Sequence, residues 1–420
     1  MSPVLRVPFD IVVLIIDIVG ENKDTNLLKE LALVSHSFLQ ICRKHLFATV
    51  QLHDAIPNRH IASSKNGFIK LLKSRPDVVK YIRKLTYIVG DYSRAQLLPA
   101  RPRPESDDYR LSPILPNLLR TIPRLNYLKI SGSRLDWNTL DSSLTSAFLY
   151  LMDLPTVNHI DLSYIQDFPL SNFTPSVNLH RLEISYLMRF DRPEEYGSPE
   201  IIVQSEMMPK IREFRSSGSP LLTTKLLHAK KQDGRPAFNF MDLRRLSICL
   251  EDEQNIRYLL ENAKLLERLH LSVEIYWNLE GLHDILSPIA RTLKVLELTV
   301  PLCDDAFFLP LAGLCEELEA MAGHNMLEAL SFEVEVGGYE TEHFIGSIIQ
   351  NVEKVLVKPG WSALRQVSFK VSMPCCAVSK ERRVKLTEAL QSLPDKYLSR
   401  LSKHDSVLLD YSVYVNECTM

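Results

Sequence analysis

Leu266-Glu267-Arg268-Leu269-His270-Leu271 sets leucines at the first, fourth and sixth positions of a six-residue frame. The last two leucines are separated by one residue. In an extended strand they share a face, and His270 between them points to the other. The frame recurs in both directions along the chain. Toward the N-terminus it is read at Leu243-Leu246-Ile248, weakly at Ile211-Phe214-Ser216, and at Leu179-Leu182-Ile184, Val157-Ile160-Leu162, Leu125-Leu128-Ile130 and Ile82-Leu85-Tyr87. Toward the C-terminus it returns at Leu293-Leu296-Leu298, Leu327-Leu330-Phe332 and Leu364-Val367-Phe369. Successive frames lie 22 to 43 residues apart, mostly near the length of one strand–helix unit. Helix-like stretches fall between several of them, at 255–266, 279–290, 311–322 and 343–356.

Composition narrows the class. Of 420 residues, 45% are hydrophobic and 24% charged, which excludes a wholly disordered chain. The formal net charge of −2 disfavours a generally basic nucleic-acid binder. Only 14 glycines are present, so phosphate-cradling loops are scarce and a nucleotide enzyme is disfavoured. A doubly wound nucleotide fold would want glycines after its strands, and they are missing. The seven cysteines form no Cys-x-x-Cys pair, which argues against a zinc ribbon and for reduced thiols in a cytosolic or nuclear protein.

The frame resembles that of leucine-rich repeats. The resemblance implies an α/β chain in which each unit buries its leucines on its neighbours, building an irregular solenoid, or horseshoe. The residue between the last two apolar positions would line the concave face. That row is Thr86, Lys129, Asp161, Glu183, Arg215, Ser247, His270, Glu297, Ser331 and Ser368, with Glu333 beside it. Lys129, Asp161, Glu183, Arg215, His270, Glu297 and Glu333 are its candidate substrate-binding residues. The asparagine or cysteine expected after the last leucine is replaced by Ser133, Ile165, Leu187 and Glu251, so irregular turns are expected.

The N-terminal fifty residues read differently. Ile11 to Val19 is an apolar helical stretch broken by Asp17 and about half a membrane span long. Pro8 sits near its first turn and Asp10 complements the helix dipole. Ile11, Leu14, Ile15 and Ile18 form one face, and Val12, Val13, Ile16 and Val19 most of the other. A helix apolar nearly all round needs two things to bury against. A second stretch follows, capped by Asp24 or Thr25 and carrying Leu27, Leu28, Leu31 and Val34. A third holds Phe38, Ile41, Cys42 and Leu46.

Val7-Pro8-Phe9-Asp10, the aliphatic helix, Leu27-Leu28, Ala32 to Phe38 and Leu46-Phe47 resemble an F-box of the fungal type over about residues 5–50. Val7 replaces the usual leucine, and Phe38 and Phe47 the usual tryptophans. The resemblance implies docking on a Skp-type adaptor of a cullin–RING ubiquitin ligase. The matching interface positions are Pro8, Ile11, Leu14, Ile15, Leu28, Leu31, Val34 and Phe38. The layout expected is a three-helix F-box-like module over 1–50 and a leucine-rich-repeat-like substrate-binding domain over 51–420. A Pro-rich loop at about 94–116, shorter loops at 189–200 and 229–237, and a final strand at 405–415 complete it.

Charge is uneven. Residues 55–104 hold 11 Lys or Arg against Asp77 and Asp91; residues 301–353 hold 11 acidic residues and no Lys or Arg; residues 354–403 hold 11 basic against 3 acidic. Solvated outer helices explain such runs, and so does a surface that steers a partner. No GxSxG, HExxH, P-loop or GxGxxG motif is present. The 12 histidines form no HxH or HxxxH pair. Tyr276 and Trp277 are adjacent and would point to opposite faces of a strand, one of them exposed for binding or, the preferred reading, in the core. No catalytic residue, cofactor or metal is expected. The function expected is substrate recognition within a Skp–cullin–F-box ligase, with an unknown protein as target and neither nucleic acid nor membrane as partner. The alternative is a leucine-rich-repeat scaffold whose N-terminal helices only cap it. Burial of the first helix on one side favours docking; burial of both sides by residues after 50 favours capping.

Overall fold

The computed structural model describes residues 8–54, 62–89, 114–169, 176–186, 202–203, 208–250, 253–273, 279–302, 313–336, 341–374, 380–404 and 406–416. The chain divides into two compact units, 1–209 with 228–237, and 210–227 with 238–420.

The first unit opens with three helices: α1 (Phe9–Glu21), α2 (Thr25–Val34) and α3 (His36–Leu46). Asp24 caps α2 by accepting from Leu27 N at 3.0 Å, and Ser35 caps α3 by accepting from Phe38 N at 3.2 Å. Ile16, Leu28 and Cys42 form their common core, with Val12, Val19, Leu31, Ala32, Phe38, Ile41 and Leu46 packed around it. At Gly20 a Cβ would lie 2.2 Å from the His45 ring, so glycine lets α1 and α3 approach there.

Helix α3 leads directly into β1 (Thr49–Asp54), followed by α4 (Ala62–Ser74), β2 (Lys84–Val89), β3 (Tyr127–Asp136), β4 (His159–Gln166) and β5 (Arg181–Ser185). These five strands pair in parallel and in chain order. Each entry carbonyl accepts from two amides of the next strand: Ala48 O from Arg83 and Lys84, Arg83 O from Asn126 and Tyr127, Asn126 O from Asn158 and His159, and Asn158 O from His180 and Arg181. The frame's apolar residues are the core. Leu85, Tyr87, Leu128, Ile130, Ile160, Leu162, Leu182 and Ile184 are all buried, and so are Leu144, Phe148 and Leu151 of the helix Ser142–Asp153. Tyr87 and Phe148 meet edge to face with ring centroids 5.0 Å apart. A short strand β6 (Ile202–Val203) also belongs to this unit.

The second unit begins with β7 (Glu213–Ser217). Two-residue strand β8 (Lys230–Lys231) pairs with β6 within the first unit. Then come β9 (Arg245–Cys249), β10 (Arg268–Ser272), β11 (Val295–Leu302), β12 (Ala329–Val336), β13 (Gln366–Pro374) and β14 (Leu408–Asn416). The strands from β7 on, β8 apart, again pair in parallel in chain order. Helices Glu253–Asn262, Leu282–Leu286, Leu314–Met321 and Thr341–Leu356 fall between them and pack on one another in series.

The α/β class fits, but the expected three-helix module with an irregular leucine-rich-repeat horseshoe is corrected. The frame marks the start of strands that run five to ten residues in extended parallel sheets, with whole helices interleaved. Apolar residues at the fourth and sixth positions report a strand buried on one face, and the period of two produces them in a long extended strand as well as in a short one. Of the Pro-rich segment, 94–113 lies outside the described residues, while 114–116 opens a helix, Ile114–Arg120, with Pro116 buried. The 189–200 segment, Tyr276 and Trp277 also lie outside them. The 229–237 segment carries β8 and a turn at Gly234 with φ of 82°.

Leu128 is fully buried at the centre of the first unit's sheet. Leu128→Ala is expected to cost about 2–5 kcal/mol, read as a lowered denaturant midpoint for that unit.

Candidate functional site

Two surfaces of the first unit collect the sequence-predicted residues. The first is the outer side of α1 and α2. Ile16 is buried and Val12, Val13 and Val19 are partly so, while Phe9 (54% exposed), Ile11, Leu14 (56%), Ile15 and Ile18 face solvent. Leu27, Leu33 (87%) and Val34 on α2 are exposed as well. Helix α1 is thus buried on one side only. Pro8, Ile11, Leu14, Ile15 and Val34 stand at the surface as expected positions. Leu28 does not: it is 1% exposed and closes the helical core. Leu31 and Phe38 lie half-buried against that core. Phe9, Ile18, Leu27 and Leu33 extend the surface beyond the residues predicted.

Asp17 fixes the pose of α1. Its carboxylate accepts from Lys44 Nζ at 2.9 Å and contacts His45 Nε2 at 2.7 Å, both on α3. The Lys44 hydrogen bond first, then His45, holds the Asp17 carboxyl below its ordinary value. Arg43, buried, reaches Asp77 at 3.6 Å.

The second surface is the polar face of β3–β5. Parallel register sets Tyr127, His159 and Arg181 in one row, Lys129, Asp161 and Glu183 in the next, and Ser131, Ser163 and Ser185 in a third. Asp161, 6% exposed, accepts from Lys129 Nζ at 2.7 Å, Ser163 Oγ at 2.7 Å and Tyr127 OH at 3.3 Å. Glu183 Oε1 accepts from Arg181 Nε at 2.6 Å and contacts His159 Nε2 at 2.9 Å. Every buried carboxylate here is therefore met by a cation or a donor, as burial of charge requires. Burial first, then the charges of Asp161 and Glu183, push the Tyr127 phenol well above its ordinary range.

Within β4 and just after β5 stand two residues the frame does not mark. Tyr164 and Tyr186 follow the paired serines 163 and 185, and both have left-handed backbone, with φ of 57° and 50°. Their rings stack at 4.9 Å and 10°, and they are 47% and 42% exposed. Such a conformation costs a bulky residue roughly 1–3 kcal/mol. Next to them β3 shifts register between Ser131 and Leu135. A Cβ on Gly132 there would lie 2.6 Å from that of Leu135, so glycine permits the shift. The signal in the sequence is a doubled heptad: His159-Ile-Asp-Leu-Ser-Tyr-Ile165 and Arg181-Leu-Glu-Ile-Ser-Tyr-Leu187.

The second unit carries its own row: Arg215, Ser247, His270, Glu297, Ser331, Ser368 and Asp410 pair in register, with Glu333 in the neighbouring row. His270 Nδ1 contacts Ser247 Oγ at 2.7 Å and Nε2 contacts Thr299 Oγ1 at 2.8 Å. Burial lowers the His270 pKa, which favours the neutral ring. Both of its nitrogens are engaged by hydroxyls and neither by a carboxylate, unlike a nucleophile–histidine–acid chain. Among the described residues no group of three or more His, Cys, Asp or Glu could hold a metal, and no helix is long and apolar enough to cross a membrane. Comparison of the chain with protein-family models and with curated proteins gave no match.

Two measurements check this geometry. Lys129→Met should destabilise the first unit by about 1.5–3 kcal/mol, because Asp161 stays buried without its cation; adding Asp161→Leu should recover much of the loss in denaturation midpoints. For Asp17 the folded pKa is depressed, so its contribution is present above the ordinary value of 3.8 and is lost as pH falls through the lower folded one. Acid titration should therefore show Asp17→Asn less stable than the natural chain near neutrality, the two converging in strong acid.

Proposed function

We propose that this chain is a substrate-recruiting subunit of a Skp–cullin–F-box ubiquitin ligase, without catalytic chemistry of its own. Residues 5–50 dock the Skp-type adaptor, and the polar strand faces receive a target protein. The observation that carries this reading is the one-sided burial of α1. Its inner side closes a small core, while Phe9, Ile11, Leu14, Ile15 and Ile18 stand in water together with Leu33 and Val34 of α2. Covering an apolar side chain of this size is worth roughly 1.5–3 kcal/mol, so a contiguous group of this kind marks an interaction surface. The order Pro8, acidic Asp10, aliphatic helix and capped second and third helices supports an F-box reading of that surface. Charged and hydroxyl side chains lined up in register on the strand faces suit recognition of a protein segment rather than covalent chemistry.

Co-expression with a Skp-type adaptor followed by size-exclusion chromatography tests the reading. A stoichiometric complex is expected, and Pro8→Ala with Leu14→Asp should abolish it while leaving the circular dichroism unchanged, since both residues are exposed. A monodisperse chain that ignores the adaptor would refute the ligase role and leave the helices as a cap.

A further inference from the structure

We propose that β14 is a self-association edge: it pairs antiparallel with β14 of a second copy of this chain, about a two-fold axis at Ser412. The inference stands apart from the recruiting role above and uses only residues of the second unit.

Strand β14 pairs with β13 along all nine of its residues without a shift in register, and among the described residues no strand lies on its other side. On β13 the core-side residues Val367, Phe369 and Val371 are no more than 2% exposed, and Ser368 and Ser372 on the opposite face are buried too. On β14 the paired Leu409, Tyr411 and Val413 are only half-buried, while Leu408 (67% exposed) and Tyr414 (52%) stand in water. Edge strands are ordinarily guarded by lysine, proline, a bulge or short length. Leu408–Asn416 has none of these, and Asp410 is its only charge.

The strand's own pattern selects a second copy as the occupant. The Leu408 amide donates to Arg365 O, on the β13 side, at 2.7 Å. Backbone groups of a strand alternate in direction, so the N–H and C=O of residues 409, 411, 413 and 415 point to the open edge. Antiparallel pairing about Ser412 sets 411 against 413 and 409 against 415, and each outward group meets one of the copy's. Odd residues pair with odd, which keeps the half-covered core-side residues on one face. A two-fold axis perpendicular to the sheet leaves the helices on that same face, where Tyr411 OH already donates to Leu390 O of the helix Lys380–Gln391. On the polar face Asp410 lies opposite Tyr414, so the strand's one carboxylate does not meet its copy; pairing about Asp410 would set the two together. At the axis Ser412 meets Ser412. Its Oγ has no hydrogen-bond partner among the described residues, and across such a pair one hydroxyl donates to the other. A foreign strand would satisfy the backbone equally, but nothing would oblige it to match these side chains.

Sedimentation velocity of the intact chain across a micromolar concentration series is expected to show a monomer–dimer equilibrium. Ser412→Asp sets two carboxylates across the axis and should raise the dimer dissociation constant roughly tenfold or more. Lys370, in register with residue 412, accommodates the new charge within the chain, so the circular dichroism should not change. Ser412→Lys should weaken self-association as well, and mixing the two variants should restore it as a heterodimer. Ser412→Cys, a nearly isosteric change, should cross-link through residue 412 under mild oxidation, as mapped by mass spectrometry. Tyr414→Cys should not, because residue 414 lies opposite 410 and far from its own copy. The cross-link decides the matter where a charged variant fails to fold. A chain that stays monomeric throughout the series, a dimer indifferent to both charges, or no cross-link through residue 412 would overturn the proposal. So would a dimer abolished by Leu14→Asp and kept by Ser412→Asp, which would place self-association on α1.

Discussion

Leu128, Ile160 and Leu182 occupy paired positions on three neighbouring parallel strands, and each is fully buried. Ile130, Leu162 and Ile184 repeat the arrangement two residues later. A slip of one residue in any of these strands would exchange its core side chains for charged ones. The register is therefore held by the hydrophobic effect on one face, and the other face inherits it. Lys129, Asp161 and Glu183 stand side by side because the aliphatic residues flanking them have no alternative.

That inherited adjacency has an electrostatic consequence. Two carboxylates on adjacent strands, both nearly buried, would repel each other and be poorly solvated if they stood alone. The neighbouring rows answer this: Lys129 and Ser163 donate to Asp161, and Arg181 donates to Glu183 with His159 beside it. The Tyr127 ring meets that of His159 at a tilt of 57°, centroids 4.4 Å apart, while its hydroxyl donates to Asp161. The basic–acidic–serine order within each heptad is the local form of this compensation. In the second unit the His270 ring is held by the hydroxyls of Ser247 and Thr299, in a row that also carries Arg215, Glu297 and Asp410.

How much of this could be read from the sequence follows from the range of each interaction. Period-two burial is local, so Lys129, Asp161, Glu183, His270 and Glu297 could be placed on one strand face, and the two-sided character of Ile11–Val19 could be seen on a helical wheel. Which side of α1 becomes covered depends on α2 and α3, and so does the fate of Leu28: its spacing matches that of Leu31 and Leu27, but the packing around Cys42 takes it inward. The solenoid reading failed because one-sided strands give the same frame in extended parallel sheets, and the frame carries no measure of strand length. Tyr164 and Tyr186 escaped because alternation assigns them to the core side. Only a positive φ turns them out, and tyrosine is a residue from which positive φ is not inferred. The doubled heptad is visible in the sequence, yet its meaning needs the register that sets its copies together.

The helical surface and the polar strand face are tied by backbone rather than by a tether. Helix α3 ends at Leu46, and the carbonyl of Ala48 accepts from Arg83 and Lys84. The Arg83 carbonyl accepts from Asn126 and Tyr127, that of Asn126 from Asn158 and His159, and that of Asn158 from His180 and Arg181. Each carbonyl serves two amides of the next strand, so the entry point of one strand fixes that of its neighbour. This relay runs from the last turn of the helices to the row holding His159 and Arg181. Arg43 adds a side-chain link from α3 to Asp77. If α1 and α2 seat the chain on an adaptor, a target held on the polar face of β3–β5 would be positioned through four successive backbone hydrogen-bonded steps. A recruiting subunit needs a defined position for its target, because transfer depends on where the target is held.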